Sequence, residues 1–170
     1  MQPRIEPLGS QHDRGDFQCG NEVLDRYLRQ QAGQDLRRHA AVPFVLVDPG
    51  TGGVAGYYTL SAYLVAAGEL PAAIARRLPR YPNVPATLLG RLAVDRRYQG
   101  RGWGALLLVD ALRRSWQGSQ EVASLAVVVD AIDEAARNFY RRFGFIPFPG
   151  QAFKLFIPMD TVEQLFPLPG

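Results

Sequence analysis

With 170 residues, the chain is long enough for one sizeable hydrophobic core and too short for two, so a single domain spanning residues 1–170 is expected. A hydrophobic fraction of 47% and a charged fraction of 21% exclude a disordered chain, and the lack of an apolar run that suits a membrane span or signal peptide predicts a cytoplasmic protein with no membrane partner. A single cysteine and two histidines exclude a disulfide framework and argue against a metal site, while the net charge of +3 is modestly basic.

Nearly all of the positive charge is carried by arginine, because Lys154 is the only lysine among 19 basic residues. A planar guanidinium suits bidentate contacts with phosphate better than an ammonium group does. The arginines also occur in clusters along the chain. The composition is therefore compatible with a polyphosphate or nucleic-acid ligand, and a solvated arginine-rich surface is the alternative.

The first half of the sequence predicts a short strand, a helix and a hairpin. Residues 4–8 form a possible edge strand interrupted by proline. A helical spacing of apolar residues runs from about residue 22 to 38, with Asn21 able to cap its first turn. Residues 44–47 and 54–62 flank a glycine-rich turn and predict an antiparallel hairpin.

The second half predicts alternating strands and helices. A short helix opened by Pro71 and an extended, proline-rich connection lead to a strand at 86–94. The next helix carries an apolar stripe and is expected to end at Gly118; the stripe comprises Ala105, Leu108, Val109, Leu112 and Trp116. A continuously apolar run at 124–130 predicts a central strand buried on both faces. A helix at 133–143 closed by Gly144, a strand at 153–158 and a helical turn at 159–166 complete the chain.

Between the strand at 86–94 and the following helix lies a basic, glycine-rich loop, Arg97-Tyr98-Gln99-Gly100-Arg101-Gly102-Trp103-Gly104. Glycines let backbone amides approach a bulky anion, and the helix that follows directs the positive end of its dipole at the same place. The spacing fits neither the dinucleotide fingerprint nor the Walker loop. The loop is therefore interpreted as a different kind of phosphate cradle, and a merely solvated glycine-rich connection is the alternative.

The pattern Arg97-x-x-Gly100-x-Gly102 between a strand and a helix, followed by Phe139-Tyr140-x-x-Phe143-Gly144-Phe145, resembles the GCN5-related N-acetyltransferase (GNAT) superfamily. The resemblance covers most of the chain. It implies an α/β (α+β) fold with a mixed central sheet of six to seven strands, flanked by helices. Two parallel strands of that sheet splay apart, and acetyl-CoA, the co-substrate, occupies the opening.

The resemblance also implies roles for individual residues. It assigns backbone groups of the central strand to the pantetheine arm, and amides and arginines of the glycine loop to the pyrophosphate. The residues assigned to cofactor binding are Leu92, Ala93, Val94, Arg97, Gln99, Gly100, Arg101, Gly102, Trp103, Gly104 and Asn138.

Tyr140 matches the family tyrosine that protonates the departing thiolate as a general acid. Helical periodicity alone favours core packing for Tyr140, whereas the flanking Phe139 and Phe143-Gly144-Phe145 favour the catalytic role. The central strand offers no glutamate as a general base at Gly90, Arg91 or Leu92. An ordered water, a backbone carbonyl or an amine that arrives already neutral remain possible.

A narrower resemblance, to the GNAT toxins of bacterial type II toxin–antitoxin modules, rests on four segments: Phe17-x-Cys19-Gly20-Asn21-x-x-Leu24-Asp25-x-Tyr27-Leu28, Gly56-Tyr57-Tyr58-Thr59-Leu60-Ser61, Leu89-Gly90-Arg91-Leu92-Ala93-Val94-Asp95 and Phe156-Ile157-Pro158-Met159. It implies acetylation of the amino group of aminoacyl-tRNA, a small ribbon-helix-helix antitoxin and a homodimer. The arginines expected to contact the substrate are Arg76, Arg77, Arg80 and Arg91. Two alternatives are a GNAT enzyme that acetylates a small amine or a protein N-terminus, and a non-catalytic acyl-CoA- or RNA-binding module.

Overall fold

The computed structural model describes residues 2–166, and within this range seven strands form one mixed sheet. The strands are β1 (Arg4–Pro7), β2 (Val42–Val47), β3 (Val54–Ala66), β4 (Asn83–Val94), β5 (Ala126–Asp130), β6 (Ile146–Pro147) and β7 (Lys154–Pro158). They are ordered β1-β2-β3-β4-β5-β7-β6. The predicted mixed α/β architecture, with six to seven strands and flanking helices, is confirmed.

The helices are α1 (Glu22–Arg26), α2 (Ala32–Arg37), α3 (Ala72–Ala75), α4 (Trp103–Ser119), α5 (Glu134–Arg142) and α6 (Met159–Leu165). A π-helical segment, Tyr27–Gln31, joins α1 to α2, and short 3₁₀ turns occur at Ala67–Glu69 and Arg96–Tyr98. Among the described residues, no helix combines the length and apolar character that crossing a bilayer demands.

The chain divides into two compact units, of which the first comprises Met1–Ser61 and Gly90–Ala111. In this unit β1 pairs antiparallel with β2, and β2 pairs antiparallel with β3. The predicted edge strand and hairpin are therefore confirmed. The buried residues of the unit's core include Phe17, Leu28, Val45 and Tyr57.

The helix predicted at 22–38 is present but is not a continuous α-helix. Its N-cap is confirmed, because the Asn21 side chain accepts a hydrogen bond from the Leu24 amide at 3.1 Å. The Ala32 amide donates to the Tyr27 carbonyl, five residues earlier, which defines the π-helical interruption. The interruption adds one residue to a helical turn and changes which side chains share a face.

The second unit comprises Ala62–Leu89 and Leu112–Gly170. Here β4 and β5 run parallel from the pair Thr87 and Val127 to the pair Leu89 and Val129, where the pairing stops although β4 continues to Val94. Strand β7 pairs antiparallel with both β5 and β6. Four consecutive buried residues of β5, Ala126–Val129, confirm the predicted central strand.

The apolar stripe of α4 lies one residue away from the predicted one. The buried positions of this helix are Leu107, Leu108, Ala111, Leu112 and Ser115, whereas Ala105, Val109 and Trp116 are partly exposed. Gly118 does not end the helix, which continues to Ser119. There the Ser119 hydroxyl donates to the Trp116 carbonyl at 2.6 Å and satisfies a terminal acceptor.

Candidate active site

Asp95 anchors the turn that follows β4 in the first unit. This residue is 1% exposed, and its carboxylate accepts hydrogen bonds from the backbone amides of Gln18 at 3.0 Å and Arg97 at 2.9 Å. The Arg97 guanidinium adds a bidentate contact, with Nε at 2.9 Å and Nη2 at 3.1 Å from the two oxygens. Arg97, which the resemblance assigns to the pyrophosphate, is thus already paired with a carboxylate, and Asp16 lies 3.4 Å from its Nη1.

These hydrogen bonds outweigh the effect of burial on the Asp95 carboxyl. Burial alone raises its pKa, but the contacts from Arg97 and from the Gln18 amide hold the pKa of Asp95 below its usual range. A carboxyl whose pKa is lowered on folding stabilises the native state above its unfolded pKa, about 3.9. That stabilisation is lost as the pH falls through the lower native pKa.

We expect Asp95→Asn to lower the free energy of unfolding by about 2 kcal/mol at pH 7, because an amide nitrogen replaces one acceptor oxygen among buried donors. Urea unfolding of both proteins measures the difference. The difference in the free energy of unfolding should narrow below about pH 4, where the Asp95 carboxyl of the unfolded wild-type chain begins to protonate. A difference that does not change between pH 7 and pH 3 would contradict this role for the ionised carboxylate.

The Gln99 side chain holds the start of the glycine loop. Its Nε2 donates to the carbonyls of Val94 and Cys19, both at 2.9 Å. One contact joins the loop to the end of β4, and the other joins it to the segment before α1. Both side-chain donors are occupied, so the Gln99 side chain serves to hold the loop in place.

Gly100 and Gly102 give the loop its shape. Their φ angles of 83° and 80° lie in the left-handed region, and a Cβ at either position would meet nothing within 4 Å. The Leu106 amide donates to the Gly102 carbonyl at 3.2 Å, so the first turn of α4 begins directly at the loop. The amides of that first turn have no partner within the helix and carry the positive end of its dipole. A glycine loop of this shape before a helix is an arrangement that favours a bulky anion.

Two stacked aromatic rings lie beside Arg101 in the loop. Tyr98 and Trp103 stack with ring centroids 5.1 Å apart, and the Arg101 guanidinium carbon lies 5.2 Å and 5.6 Å from the two centroids. The Tyr98 hydroxyl donates to Asp48 at 2.8 Å. Arg101 itself is exposed, so the stack supports a cation that faces solvent beside the glycines.

The remaining residues assigned to the cofactor differ in exposure. On β4, Ala93 is buried, whereas Leu92 and Val94 are half-buried. Gly104 is half-buried in the first turn of α4. Asn138 belongs to α5 of the second unit and is exposed.

Tyr140 lies near the end of α5 and is 6% exposed. Its ring packs against Phe139 and Phe145 at centroid distances of 5.4 Å and 5.3 Å. Burial raises the pKa of the Tyr140 phenol above its ordinary value. The phenol is thus fully protonated at neutral pH and can act only as a proton donor or hydrogen-bond partner.

The predicted substrate arginines fall in two places. Arg76, Arg77 and Arg80 are exposed and follow α3 in the second unit, where Arg77 also lines a cavity of about 580 Å³. Arg91 belongs to the first unit, and its guanidinium carbon lies 3.5 Å above the Tyr27 ring. In the sequence, Tyr27 and Asp95 stand out only as members of the segments that carry the narrower resemblance, without individual roles. A signal that could have revealed the role of Asp95 is its position two residues before Arg97 at the end of a strand.

Comparison with known proteins places this geometry in a family. The model of the acetyltransferase (GNAT) domain matches residues 44–147. A protein named tRNA-acetylating toxin from Mycobacterium tuberculosis (strain ATCC 25618 / H37Rv) is 36% identical over 153 residues, which cover 90% of each chain.

Two solved structures resemble nearly the whole chain. AtaT complexed with acetyl-methionyl-tRNAfMet superposes with a TM-score of 0.90 at 34% identity, covering 98% of this chain and 100% of that one. A tyrosine-to-phenylalanine variant of the AtaT toxin, bound to the C-terminus of the antitoxin AtaR and to acetyl-CoA, gives a TM-score of 0.82 at 32% identity over 98% and 99% of the two chains. Together with the strand, glycine loop and helix described above, these matches show that the chain belongs to the GNAT family of acetyltransferases.

Proposed function

We propose that this chain transfers the acetyl group of acetyl-CoA to the amino group of an aminoacyl-tRNA, and that it thereby acts as a toxin that blocks translation. The observation that carries the proposal is the likeness, over 98% of the chain, to AtaT in complex with acetyl-methionyl-tRNAfMet. The relative named tRNA-acetylating toxin supports the same substrate class.

The glycine loop fits the pyrophosphate of acetyl-CoA, which supplies the acetyl group as a thioester. Gly100 and Gly102 leave open space where side chains would stand. The amides in the first turn of α4 favour the binding of a negatively charged group. We assign the amides from Gln99 to Gly104 to the pyrophosphate and the exposed Arg101 to its charge. The backbone of Leu92, Ala93 and Val94 is assigned to the pantetheine arm, and Asn138 remains a weaker candidate.

Tyr140 is assigned as the general acid. Attack of the amine on the thioester carbonyl forms the C–N bond, and the C–S bond then breaks to release a thiolate. The buried phenol, which is protonated at neutral pH, donates its proton to that sulfur, and the phenolate then regains a proton from water.

No carboxylate side chain is found at residues 90–92 of β4 to take a proton from the attacking amine. The α-amine of an aminoacyl ester is more acidic than a lysine side chain, so a useful fraction is neutral near pH 7. We infer that the substrate amine enters uncharged. After the C–N bond forms, the positively charged nitrogen loses a proton to water.

The same likeness supports an antitoxin as a partner. AtaT is described in complex with the C-terminus of its antitoxin AtaR. A small antitoxin of the ribbon-helix-helix type, a homodimer and a cytoplasmic location complete the proposal. The exposed arginines Arg76, Arg77 and Arg80 are candidates for contact with tRNA phosphates, which provide sequence-independent affinity.

Cell-free translation tests the proposed toxicity. Adding the purified chain together with acetyl-CoA should stop protein synthesis, and adding it with CoA in place of acetyl-CoA should not. Arrest should be relieved by supplying fresh charged tRNA. Continued synthesis in the presence of acetyl-CoA would contradict the proposal and favour a GNAT enzyme that acts on another amine.

A further inference from the structure

Arg91 is a half-buried residue whose guanidinium donors are not used by the protein. Its carbon lies 3.5 Å above the Tyr27 ring centroid, so one face of the guanidinium is covered. Within residues 2–166, the Arg91 guanidinium has neither a hydrogen bond to a protein acceptor nor an ion pair within 4.0 Å, although its charge helps to lower the pKa of Asp35. A guanidinium has five N–H donors, and none of those of Arg91 is both buried and unpaired. The donors are therefore open to an acceptor that a ligand brings from solvent.

The ring beneath Arg91 is held by a small polar network. The Tyr27 hydroxyl donates to Asp35 Oδ2 at 2.7 Å, and the side-chain Nε2 of Gln31 donates to Asp35 Oδ1 at 3.0 Å. Hydrogen bonds from Gln31 and Tyr27 lower the pKa of Asp35, so its carboxylate is charged. A phenol that donates to a carboxylate has a more electron-rich ring, which strengthens its attraction for a cation. Tyr27 also stacks on Tyr57 with centroids 6.2 Å apart, which fixes its orientation.

The π-helical segment is what allows Tyr27 and Asp35 to meet. At about 100° per residue, eight α-helical residues would turn Asp35 roughly 80° away from Tyr27. One residue absorbed by the π-helical turn brings the two positions back to within roughly 20° of the same face. An irregularity in the helix thus aligns the network that supports Arg91.

Arg91 and Tyr27 also line a surface cleft of about 240 Å³. Its other lining residues are Val23, Arg26, Gln30 and Gln31. Among these described residues there are two guanidinium groups, two carboxamides and no carboxylate. Such a lining suits a phosphate together with the hydroxyl or base-edge groups of a nucleotide. The pyrophosphate cradle is elsewhere, because Arg91 precedes Asp95 by four strand residues, or about 13 Å.

We propose that Arg91, held on the Tyr27 ring by Asp35, binds a backbone phosphate of the RNA substrate in this cleft, and that Tyr27 and Asp35 are positioning residues for it. The proposal rests on the proposed function and deepens it. It assigns RNA recognition to a single preorganised guanidinium in addition to the exposed arginines.

Binding of labelled, uncharged tRNA, measured by fluorescence anisotropy over a range of salt concentrations, tests the proposal. Arg91→Ala should weaken the affinity by about tenfold and reduce the slope of log K against log salt by about 1, because one phosphate contact is lost. Tyr27→Leu should weaken binding in the same direction. The double variant should bind no more weakly than Arg91→Ala alone, since Tyr27 acts through Arg91. Asp35→Asn should cause a smaller loss of tRNA affinity than Tyr27→Leu. It replaces Tyr27→Leu in the test if that variant does not fold.

Arg4→Ala is the matched control, because it removes an equally charged arginine that is exposed on β1 and paired with Glu6. It should leave the affinity nearly unchanged, and acetyl-CoA binding should be normal in all variants. Unchanged tRNA affinity in Arg91→Ala, additive effects in the double variant or no tRNA binding by the wild type would each overturn the proposal. So would loss of affinity for an acidic peptide but not for tRNA, which would assign the cleft to a protein partner.

The readout separates this proposal from the proposed function, because it requires no acetyl transfer. Binding that depends on Arg91, in a protein that acetylates no charged tRNA, supports the cleft and refutes the proposed reaction. Acetylation of charged tRNA by Arg91→Ala with an unchanged KM for tRNA would support the proposed reaction and refute the role of the cleft.

Discussion

Replacing Tyr140 by phenylalanine is expected to lower the turnover number by about 10²–10⁴-fold, the usual range for loss of a general acid. The ring of Tyr140 is buried between Phe139 and Phe145, so removing only the hydroxyl leaves the packing of α5 intact. Affinity for acetyl-CoA, measured by calorimetry, should change by less than about twofold. The loss should therefore fall on kcat, because the proton is needed only as the thiolate departs.

Tyr81→Phe is the matched control for this experiment, because Tyr81 is 64% exposed and loses the same hydroxyl. Its turnover should equal that of the wild type. If Tyr140→Phe also turned over at the wild-type rate, Tyr140 would be a core residue without a part in the chemistry. Loss of acetyl-CoA affinity in Tyr140→Phe would instead mean that its hydroxyl contacts the cofactor in the ground state.

Gly102→Val is expected to abolish measurable acetyl-CoA binding. Gly102 has a φ of 80°, where a side chain is strained by about 1–2 kcal/mol, and its open surroundings are the space that the pyrophosphate needs. A branched side chain at this point covers the amides at the start of α4. Calorimetry with acetyl-CoA and with CoA should show no heat of binding for either.

Gly150→Val separates blockage from strain. Gly150 has a φ of 73°, and a Cβ there also meets nothing within 4 Å, but this glycine lies in the turn after β6. Both variants should lose comparable thermal stability, and only Gly102→Val should lose acetyl-CoA. Normal affinity in Gly102→Val would refute the assignment of the cradle.

Local patterns in the sequence were sufficient for most of the fold. Alternating and continuous apolar residues predicted β2, β3, β5 and β7, because the apolar positions of these strands are the ones that become buried. The stripe of α4 was misplaced by one residue, since several adjacent positions of a leucine-rich helix are equally apolar. Strand β6, only two residues long, has no sequence signal of its own, and its existence depends on pairing with β7.

The candidate site was less predictable, because side-chain partners far apart in sequence decide it. The spacing of Gly100 and Gly102 signals an anion site, but nothing local shows that Asp95 accepts from the Gln18 amide or that Gln99 binds Cys19, 77 and 80 residues away. The π-helical turn after Tyr27 has no sequence signature either. It is stabilised by contacts that include the bond between Tyr27 and Asp35, which form only in the folded protein.

The most direct test of the proposed reaction is acetyl transfer from labelled acetyl-CoA to a pool of charged tRNAs. We expect label on one or more aminoacyl-tRNAs, recovered as an N-acetyl amino acid after mild alkaline hydrolysis of the ester. Tyr140→Phe should give much less label in the same time. Label on free amines or proteins, with none on charged tRNA, would contradict the account.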